Sequence, residues 1–209
     1  MTIRLAYSAD ASDTLEAVFV PSTHDAATAV MAPPHPLYGG NLANPVVSEI
    51  ADACQRTGLA SLRFNWRGVG ASAGAVSSEP EIGVSDYTAA LAYVESHSQG
   101  AIVACGYSFG AASGASAARK SERVKALLLV APPVVMLNVD ALKSFEGPVL
   151  LVAGDQDSFA PRQELEAISQ ELKAGELVLL EGTDHYFATG LPQLGRAAED
   201  FLQRVVSPG

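Results

Sequence analysis

The chain of 209 residues, 48% of them hydrophobic, is long enough to build one globular domain with a sizeable core. Its formal net charge of −10 argues against nucleic acid or an anionic membrane surface as a partner, because both require a basic patch. The first ten residues lack the long apolar core of a signal peptide, and no later apolar run approaches membrane-spanning length. We therefore expect a cytoplasmic protein formed by a single domain over residues 1–209.

The first predicted elements are two short strands near the N-terminus. Residues 15–20 and 27–31 are apolar segments typical of strands, and the turn-like residues 21–25 separate them. The two strands are predicted to form the opening hairpin of a sheet. A helix is then predicted to begin after Asn44, an N-cap candidate followed by proline, and to end at Gly58.

The rest of the chain alternates between strands and helices. Further strands are predicted over residues 59–65, 101–105, 126–131, 149–153 and 176–180, and further helices over 80–97, 109–120, 165–172 and 191–202. Such alternation implies a mostly parallel sheet of seven or eight strands with helices on both faces. The predicted fold is a three-layer αβα domain whose ligand sites lie beyond the carboxyl ends of the strands.

The pattern Gly-x-Ser-x-Gly occurs twice, centred on Ser72 and on Ser108. In a nucleophile elbow, this pattern joins a buried strand to a helix through a tight turn that exposes the serine hydroxyl. Ser108 fits that context because the apolar strand 101–105 leads into it and an Ala-rich helix follows. Ser72 does not, because two glycines separate it from strand 59–65 and the polar residues 77–80 follow it. We predict that Ser108 is a nucleophile and that Ser72 belongs to a Gly-rich loop.

A serine nucleophile needs a general base, which in turn needs an acidic group to orient it. Both groups should lie on loops after strands, at the same sheet edge as the elbow. His185 follows the last predicted strand and is the candidate base; alternatively, it is a loop histidine that caps the last helix together with Asp184. Asp155 and Asp157 follow the preceding strand, and from the residues alone either could be the acid.

Three segments together resemble the α/β-hydrolase superfamily: residues 106–110 around Ser108, residues 154–157 with Pro161, and residues 184–185. The order of nucleophile, acid and histidine is the order found in that fold. The resemblance covers nearly the whole chain. It implies that Asp157, three residues after the glycine, is the catalytic acid, and that Asp155 stabilises a turn.

The resemblance also implies two backbone N–H donors for the oxyanion of a tetrahedral intermediate. One is the N–H of Phe109. The other should lie in residues 33–41, which resemble the family's His-Gly-x-x-Gly loop but have Pro36 in place of the first glycine. Because proline has no N–H, the donor is Leu37 or Tyr38, and alignment with the motif favours Leu37.

The connection between the strands at 126–131 and 149–153 is too short for a cap domain, since residues 132–147 can form only a loop and one short helix. The chain thus resembles the small lidless branch of the superfamily, alongside dienelactone hydrolases and compact carboxylesterases. The candidate substrate-pocket residues are Tyr38, Trp66, Met136 and Leu137. Alternatively, Trp66 or its neighbour Arg67 braces a Gly-rich loop.

These observations predict a serine hydrolase that cleaves ester or thioester bonds of small to medium acyl substrates through an acyl-enzyme. Dienelactone hydrolases proper use a cysteine nucleophile, so the serine here favours ester hydrolysis. A peptidase or amidase is less expected because no site for a charged substrate terminus is visible, and acyl transfer to an alcohol stays open because the triad does not select the acceptor. The alternative from another class is a non-catalytic protein of this fold that binds a small molecule or partner. We expect no cofactor and no metal, because His35 has no second ligand at a metal-site spacing. Cys54 and Cys105 are expected to be reduced and buried.

Overall fold

Eight strands and six α-helices make up the computed structural model, which describes residues 1–22 and 27–206. The strands are β1 (Thr2–Ala6), β2 (Thr14–Val20), β3 (Ala27–Ala32), β4 (Ala60–Phe64), β5 (Ala101–Tyr107), β6 (Val124–Val130), β7 (Val149–Gly154) and β8 (Gly175–Leu180). The helices are α1 (Pro45–Thr57), α2 (Pro80–His97), α3 (Phe109–Ala118), α4 (Val139–Lys143), α5 (Arg162–Glu171) and α6 (Leu191–Val206). Two 3₁₀ turns lie at Pro36–Tyr38 and Val134–Met136.

The strands form one sheet in the order β1-β2-β4-β3-β5-β6-β7-β8. The six strands from β3 to β8 are parallel, and only β1 and β2 run antiparallel to their neighbours. The predicted αβα architecture with a mostly parallel sheet is therefore confirmed. The carboxyl ends of β3 to β8 meet at one edge, which we call the catalytic edge, and the loops that leave it carry the candidate site.

The predicted hairpin between β2 and β3 is wrong. β2 pairs with β1 on one side and with β4 on the other, while β3 lies between β4 and β5. The hairpin of this sheet is formed instead by β1, an element not predicted from the sequence, and β2. Of the turn predicted over residues 21–25, residues 23–25 lie outside the described part of the chain.

The two faces of the sheet are covered by different helices. Helices α2 to α5 pack on one face, and α1 and α6 pack on the other. Alternate side chains of β5 enter the two layers: Ile102 and Ala104 face α2 to α5, whereas Val103 and Cys105 face α1 and α6. Cys54 and Cys105 are both free and buried, as predicted, and burial raises the pKa of the Cys54 thiol to about 12.

Local signals at both ends of α1 explain why its predicted boundaries agree with the structure. The Asn44 side chain accepts the N–H of Val46 at 2.9 Å, and Gly58 ends α1 with a left-handed φ of 75°. Helix α2 spans the predicted residues, whereas α3 ends at Ala118, two residues before the predicted end. No cap domain is present, because β6 and β7 are joined only by the second 3₁₀ turn and the five-residue α4. Within the described residues, no helix is long and apolar enough to cross a membrane.

Candidate active site

Ser108 lies on a sharp corner between β5 and α3. Its φ of 54° and ψ of −119° are strained for a residue with a side chain, and its N–H donates to the carbonyl of Val130 at 2.9 Å. The flanking glycines permit this corner through close backbone contacts. A Cβ on Gly106 would lie 2.3 Å from the carbonyl carbon of Gly110, and a Cβ on Gly110 would lie 2.4 Å from the carbonyl oxygen of Ala32. The strand, turn and helix context predicted for an elbow is therefore present at Ser108.

The structure brings Ser108, His185 and Asp157 together, although they come from three separate loops at the catalytic edge. Ser108 Oγ lies 3.0 Å from His185 Nε2, and His185 Nδ1 lies 2.7 Å from Asp157 Oδ2. All three residues are buried. This chain of hydrogen bonds has the geometry in which a carboxylate orients an imidazole and the imidazole can accept the serine proton.

The two aspartates after β7 have different contacts. Asp157 Oδ1 accepts the N–H groups of Phe159 and Ala160 at 2.8 and 3.0 Å, which fixes the carboxylate and leaves Oδ2 for His185. Asp155 instead accepts the N–H of Gly182 at 2.8 Å, so it ties the loop after β7 to the loop after β8. Of the two candidates, only Asp157 contacts His185. The Asp155 side chain bonds to a backbone N–H of a different loop and not, as expected, to one of its own turn.

Tyr107 holds the backbone beside the imidazole, a role that sequence reasoning missed. Its hydroxyl donates to the carbonyl oxygen of His185 at 2.6 Å, and its ring lies 5.8 Å from the imidazole. Burial, reinforced by the negative charges of Asp157 and Asp184, raises the pKa of Tyr107, which keeps the hydroxyl protonated and able to donate. The ring nitrogens of His185 face Asp157 and Ser108, so they do not cap α6.

The two predicted oxyanion donors differ in whether their N–H group already donates a hydrogen bond. Within the described residues, the N–H of Phe109 at the start of α3 donates to no acceptor. The N–H of Leu37 donates to Nδ1 of His35 at 3.2 Å, and the N–H of Tyr38 donates to the His35 carbonyl at 3.1 Å. An imidazole nitrogen accepts only when it carries no proton, and burial lowers the pKa of His35, which favours that neutral form.

The four predicted pocket residues differ in exposure. Tyr38 is 88% exposed and Met136 is partly buried, whereas Leu137 packs in the core. Trp66 is only 2% exposed; its indole N–H donates to the carbonyl of Pro34 at 2.9 Å, and its ring lies edge-on to Phe109. Because Trp66 and Leu137 are buried, the expectation that they line an accessible pocket is wrong. Trp66 braces the loop that carries His35, whereas the alternative interpretation had it brace the Gly-rich loop after β4.

The second Gly-x-Ser-x-Gly segment has structural contacts. Ser72 Oγ accepts the N–H of Glu16 at 2.8 Å and donates to the carbonyl of Asn65 at 3.0 Å, so it links β2 to the loop after β4. Arg67 in the same loop forms an ion pair with the buried Asp86 and lies over the ring of Tyr7. These contacts agree with the prediction that Ser72 belongs to a Gly-rich loop.

Comparison with known proteins places this geometry in a family. Residues 70–207, which include Ser108, Asp157 and His185, match the sequence profile of the dienelactone hydrolase family. The chain belongs to that family. Membership of that family identifies the chain as a hydrolase. Its sheet order, its helices on both faces and its lack of a cap are those of the lidless α/β-hydrolase fold, as the resemblance in the sequence implied.

The chain is also similar to solved structures and to a protein known from its sequence. An α/β serine hydrolase homologue from Coxiella burnetii is 31% identical, with a TM-score of 0.84 over 97% of each chain. An α/β serine hydrolase without a lid from Xanthomonas campestris is 25% identical, with a TM-score of 0.83 over 98% of this chain and 94% of that one. An uncharacterised protein of Rickettsia prowazekii is 27% identical over 195 residues, covering 88% of this chain and 81% of its own.

Proposed function

We propose that this protein is a serine esterase that cleaves ester or thioester bonds of small to medium acyl substrates through an acyl-enzyme on Ser108. The observation that carries the proposal is the hydrogen-bonded series from Asp157 through His185 to Ser108 at the elbow. Membership of a hydrolase family supports the same reaction class. A binding module would have no physical need for all three groups in this arrangement.

In the proposed reaction, Ser108 Oγ attacks the ester carbonyl while His185 Nε2 takes the hydroxyl proton. Asp157 stabilises the imidazolium that forms. The tetrahedral intermediate collapses as His185 gives its proton to the departing alcohol or thiol, which leaves the acyl group on Ser108. Water then attacks this acyl-enzyme with His185 again as the base, and the acid product leaves as Ser108 regains its proton.

The oxyanion of the intermediate would accept the N–H groups of Phe109 and Leu37. The Phe109 N–H has no competing acceptor among the described residues. The Leu37 N–H must leave Nδ1 of His35, to which it donates at 3.2 Å. Because hydrogen bonds to an anion are about twice as strong as those between neutral groups, a developing oxyanion would compete well for this donor.

Cys105, although only three residues before Ser108, is not a second candidate nucleophile. Its side chain points into the layer between the sheet and helices α1 and α6, where it is fully buried. Burial raises the pKa of the Cys105 thiol, which disfavours the thiolate that cysteine chemistry requires. The proposed nucleophile is therefore the serine alone.

Labelling with a fluorophosphonate, followed by mass spectrometry of the labelled peptide, tests the assignment. The expected result is a single adduct on Ser108 that Ser108→Ala abolishes. Turnover of 4-nitrophenyl esters of rising chain length, beside an acyl thioester and an acyl anilide, tests the reaction class. We expect cleavage of the esters or the thioester and little cleavage of the anilide. An absent label together with inactivity towards every substrate would contradict the proposal.

A further inference from the structure

The exposed apolar side chains of this protein are concentrated around the candidate site. Within the described residues, every exposed large hydrophobic side chain except Met1 lies on a loop that leaves the catalytic edge. Five of these residues form what we call the apolar rim: Leu37, Tyr38, Val135, Phe159 and Tyr186. A clustered set of exposed apolar groups, unlike scattered ones, indicates a binding surface.

The apolar rim lies beside His185 and beside His35. The Phe159 and Tyr186 rings lie 4.7 and 5.7 Å from the imidazole of His185. The ring of Tyr38 lies 4.9 Å from that of His35, on the loop that carries the proposed donor Leu37. A substrate bound at Ser108 would therefore meet aromatic surface beside His185, and further apolar surface where that loop approaches the site.

Val135 completes the apolar rim beside Phe159. The N–H of its neighbour Val134 donates to the carbonyl of Phe159 at 3.1 Å, which holds the second 3₁₀ turn against the loop after β7. The Val135 side chain is 94% exposed, so it offers apolar surface to a ligand without supporting the core.

The loops of the catalytic edge carry mostly negative charge. The five loops over residues 33–44, 65–79, 131–138, 155–161 and 181–190 are all described, and they contain a single lysine or arginine, Arg67. The same loops contain five carboxylates, at Glu79, Asp155, Asp157, Glu181 and Asp184. An anionic substrate group placed at this edge would face mainly like charges.

Three arginines in or beside these loops already have partners. Arg67 is paired with the buried Asp86 at 2.5 Å. Arg162, the first residue of α5, contacts Glu166 at 2.7 Å, and Arg63 near the end of β4 donates to Ser48 at 3.0 Å. His35 adds no charge near neutral pH, since burial lowers its pKa. Within the five described loops themselves, a substrate carboxylate would therefore find no free cationic partner.

We infer that this site takes electroneutral esters with an apolar acyl group and discriminates against esters whose acyl group carries a carboxylate. The inference rests on the proposed ester hydrolysis at Ser108 and specifies its substrate class. A neutral acyl group gains contact with the apolar rim, whereas a carboxylate loses hydration without gaining a counter-ion. Leaving a charged or polar group without its partner costs roughly 10- to 100-fold in binding or turnover.

A matched pair of substrates tests the inference: 4-nitrophenyl pentanoate, and the mono-4-nitrophenyl ester of succinic acid, in which a carboxylate replaces the end of the chain. We expect kcat/KM to be roughly 10- to 100-fold higher for the pentanoate. The preference should persist at high salt, where the repulsion by the whole acidic molecule is screened and only local effects remain. Equal or faster turnover of the succinate ester would overturn the inference.

A second experiment tests the inference by adding a positive charge to the apolar rim. Val135→Lys should raise kcat/KM for the succinate ester about tenfold at low salt, because a cation then lies within reach of the carboxylate, and should lower kcat/KM for the pentanoate, because the apolar rim loses apolar surface. Val135→Gln is the matched neutral control and should not produce this gain. If the lysine variant gave no selective gain over the glutamine variant, the inference would be wrong.

Two further measurements separate this inference from competing explanations. Fluorophosphonate labelling of Ser108 reports on the proposed function alone, so a labelled enzyme with the opposite charge preference would overturn only the substrate class. Analytical ultracentrifugation tests whether a second copy of the chain covers the apolar rim. A monomer supports a free substrate surface, whereas a dimer that Val135→Lys dissociates would overturn the inference.

Discussion

At the scale of single residues, the two Gly-x-Ser-x-Gly serines differ in what their hydroxyls contact. Ser108 Oγ faces a histidine, whereas Ser72 Oγ bonds to the backbone of Glu16 and Asn65. Ser108→Ala should therefore lower the rate of ester cleavage by about four orders of magnitude or more, with the free energy of unfolding little changed. Ser72→Ala should retain most of the activity and lose about 1 kcal/mol of stability, because two hydrogen bonds disappear.

Rates with a 4-nitrophenyl ester and urea unfolding curves of the same two variants check this contrast. Each variant is the control for the other, since both remove one hydroxyl from the same sequence pattern. An inactive Ser72→Ala beside an active Ser108→Ala would contradict the assignment of the nucleophile.

The residues of the candidate site were predictable to different degrees. Ser108 and His185 could be predicted because each follows a strand, and strand ends of a parallel sheet meet at one edge. The choice of Asp157 over Asp155 came from the family resemblance. Tyr107, Phe159 and Tyr186 could not be predicted, because their contacts with His185 depend on side-chain direction at the end of β5 and within loops. Trp66 was wrongly placed in the pocket for the same reason: the sequence pattern does not reveal that its ring turns into the core beside Phe109.

At the scale of elements, the glycines of the two motif copies have different roles. Gly70 and Gly74 adopt positive φ in a loop, whereas Gly106 and Gly110 allow β3, β5 and α3 to approach closely. Gly110→Ala should cost about 3 kcal/mol or more, because the added Cβ would lie 2.4 Å from the backbone oxygen of Ala32. Neither backbone segment can move away without displacing the elbow.

Gly58→Ala, at the end of α1, is the matched control for Gly110→Ala. It has a φ of +75° but no atom within 4 Å of the added Cβ, so only strain of about 1–2 kcal/mol is expected. Urea unfolding midpoints of the two variants measure the difference. Equal destabilisation of the two would show that close packing at the elbow does not limit stability.

Strand order was the part of the fold that sequence could not supply. The positions of β2 and β3 were visible as apolar segments, and their closeness in the chain favoured a hairpin. The structure instead inserts β4 between them, because α1 carries the chain from the end of β3 back to the start of β4, which then pairs in parallel with β3. Pairing of this kind depends on contacts between distant segments, which local periodicity does not encode.

At the scale of the whole molecule, charge is distributed unevenly between the two edges of the sheet. The loops of the catalytic edge hold one of the 13 lysines and arginines, and that residue is paired. At the opposite edge, Arg119, Lys120 and Arg123 lie between α3 and β6, and Lys125 is the second residue of β6. The loops around the candidate site are therefore poorer in positive charge than the chain as a whole, whose net charge is −10.

The lack of a cap leads to a prediction about the kinetics of the whole enzyme. Lidded hydrolases must open before a substrate reaches the serine, whereas here only the second 3₁₀ turn and α4 lie between β6 and β7. With no element to displace, the initial rate on a sparingly soluble 4-nitrophenyl ester should follow a simple saturation curve through the concentration at which the ester begins to aggregate. Initial rates measured on both sides of that concentration, determined separately by light scattering, check the expectation. A sharp rise in rate where aggregates first form would mean that a covering segment opens at the aggregate surface, which would contradict a permanently accessible site.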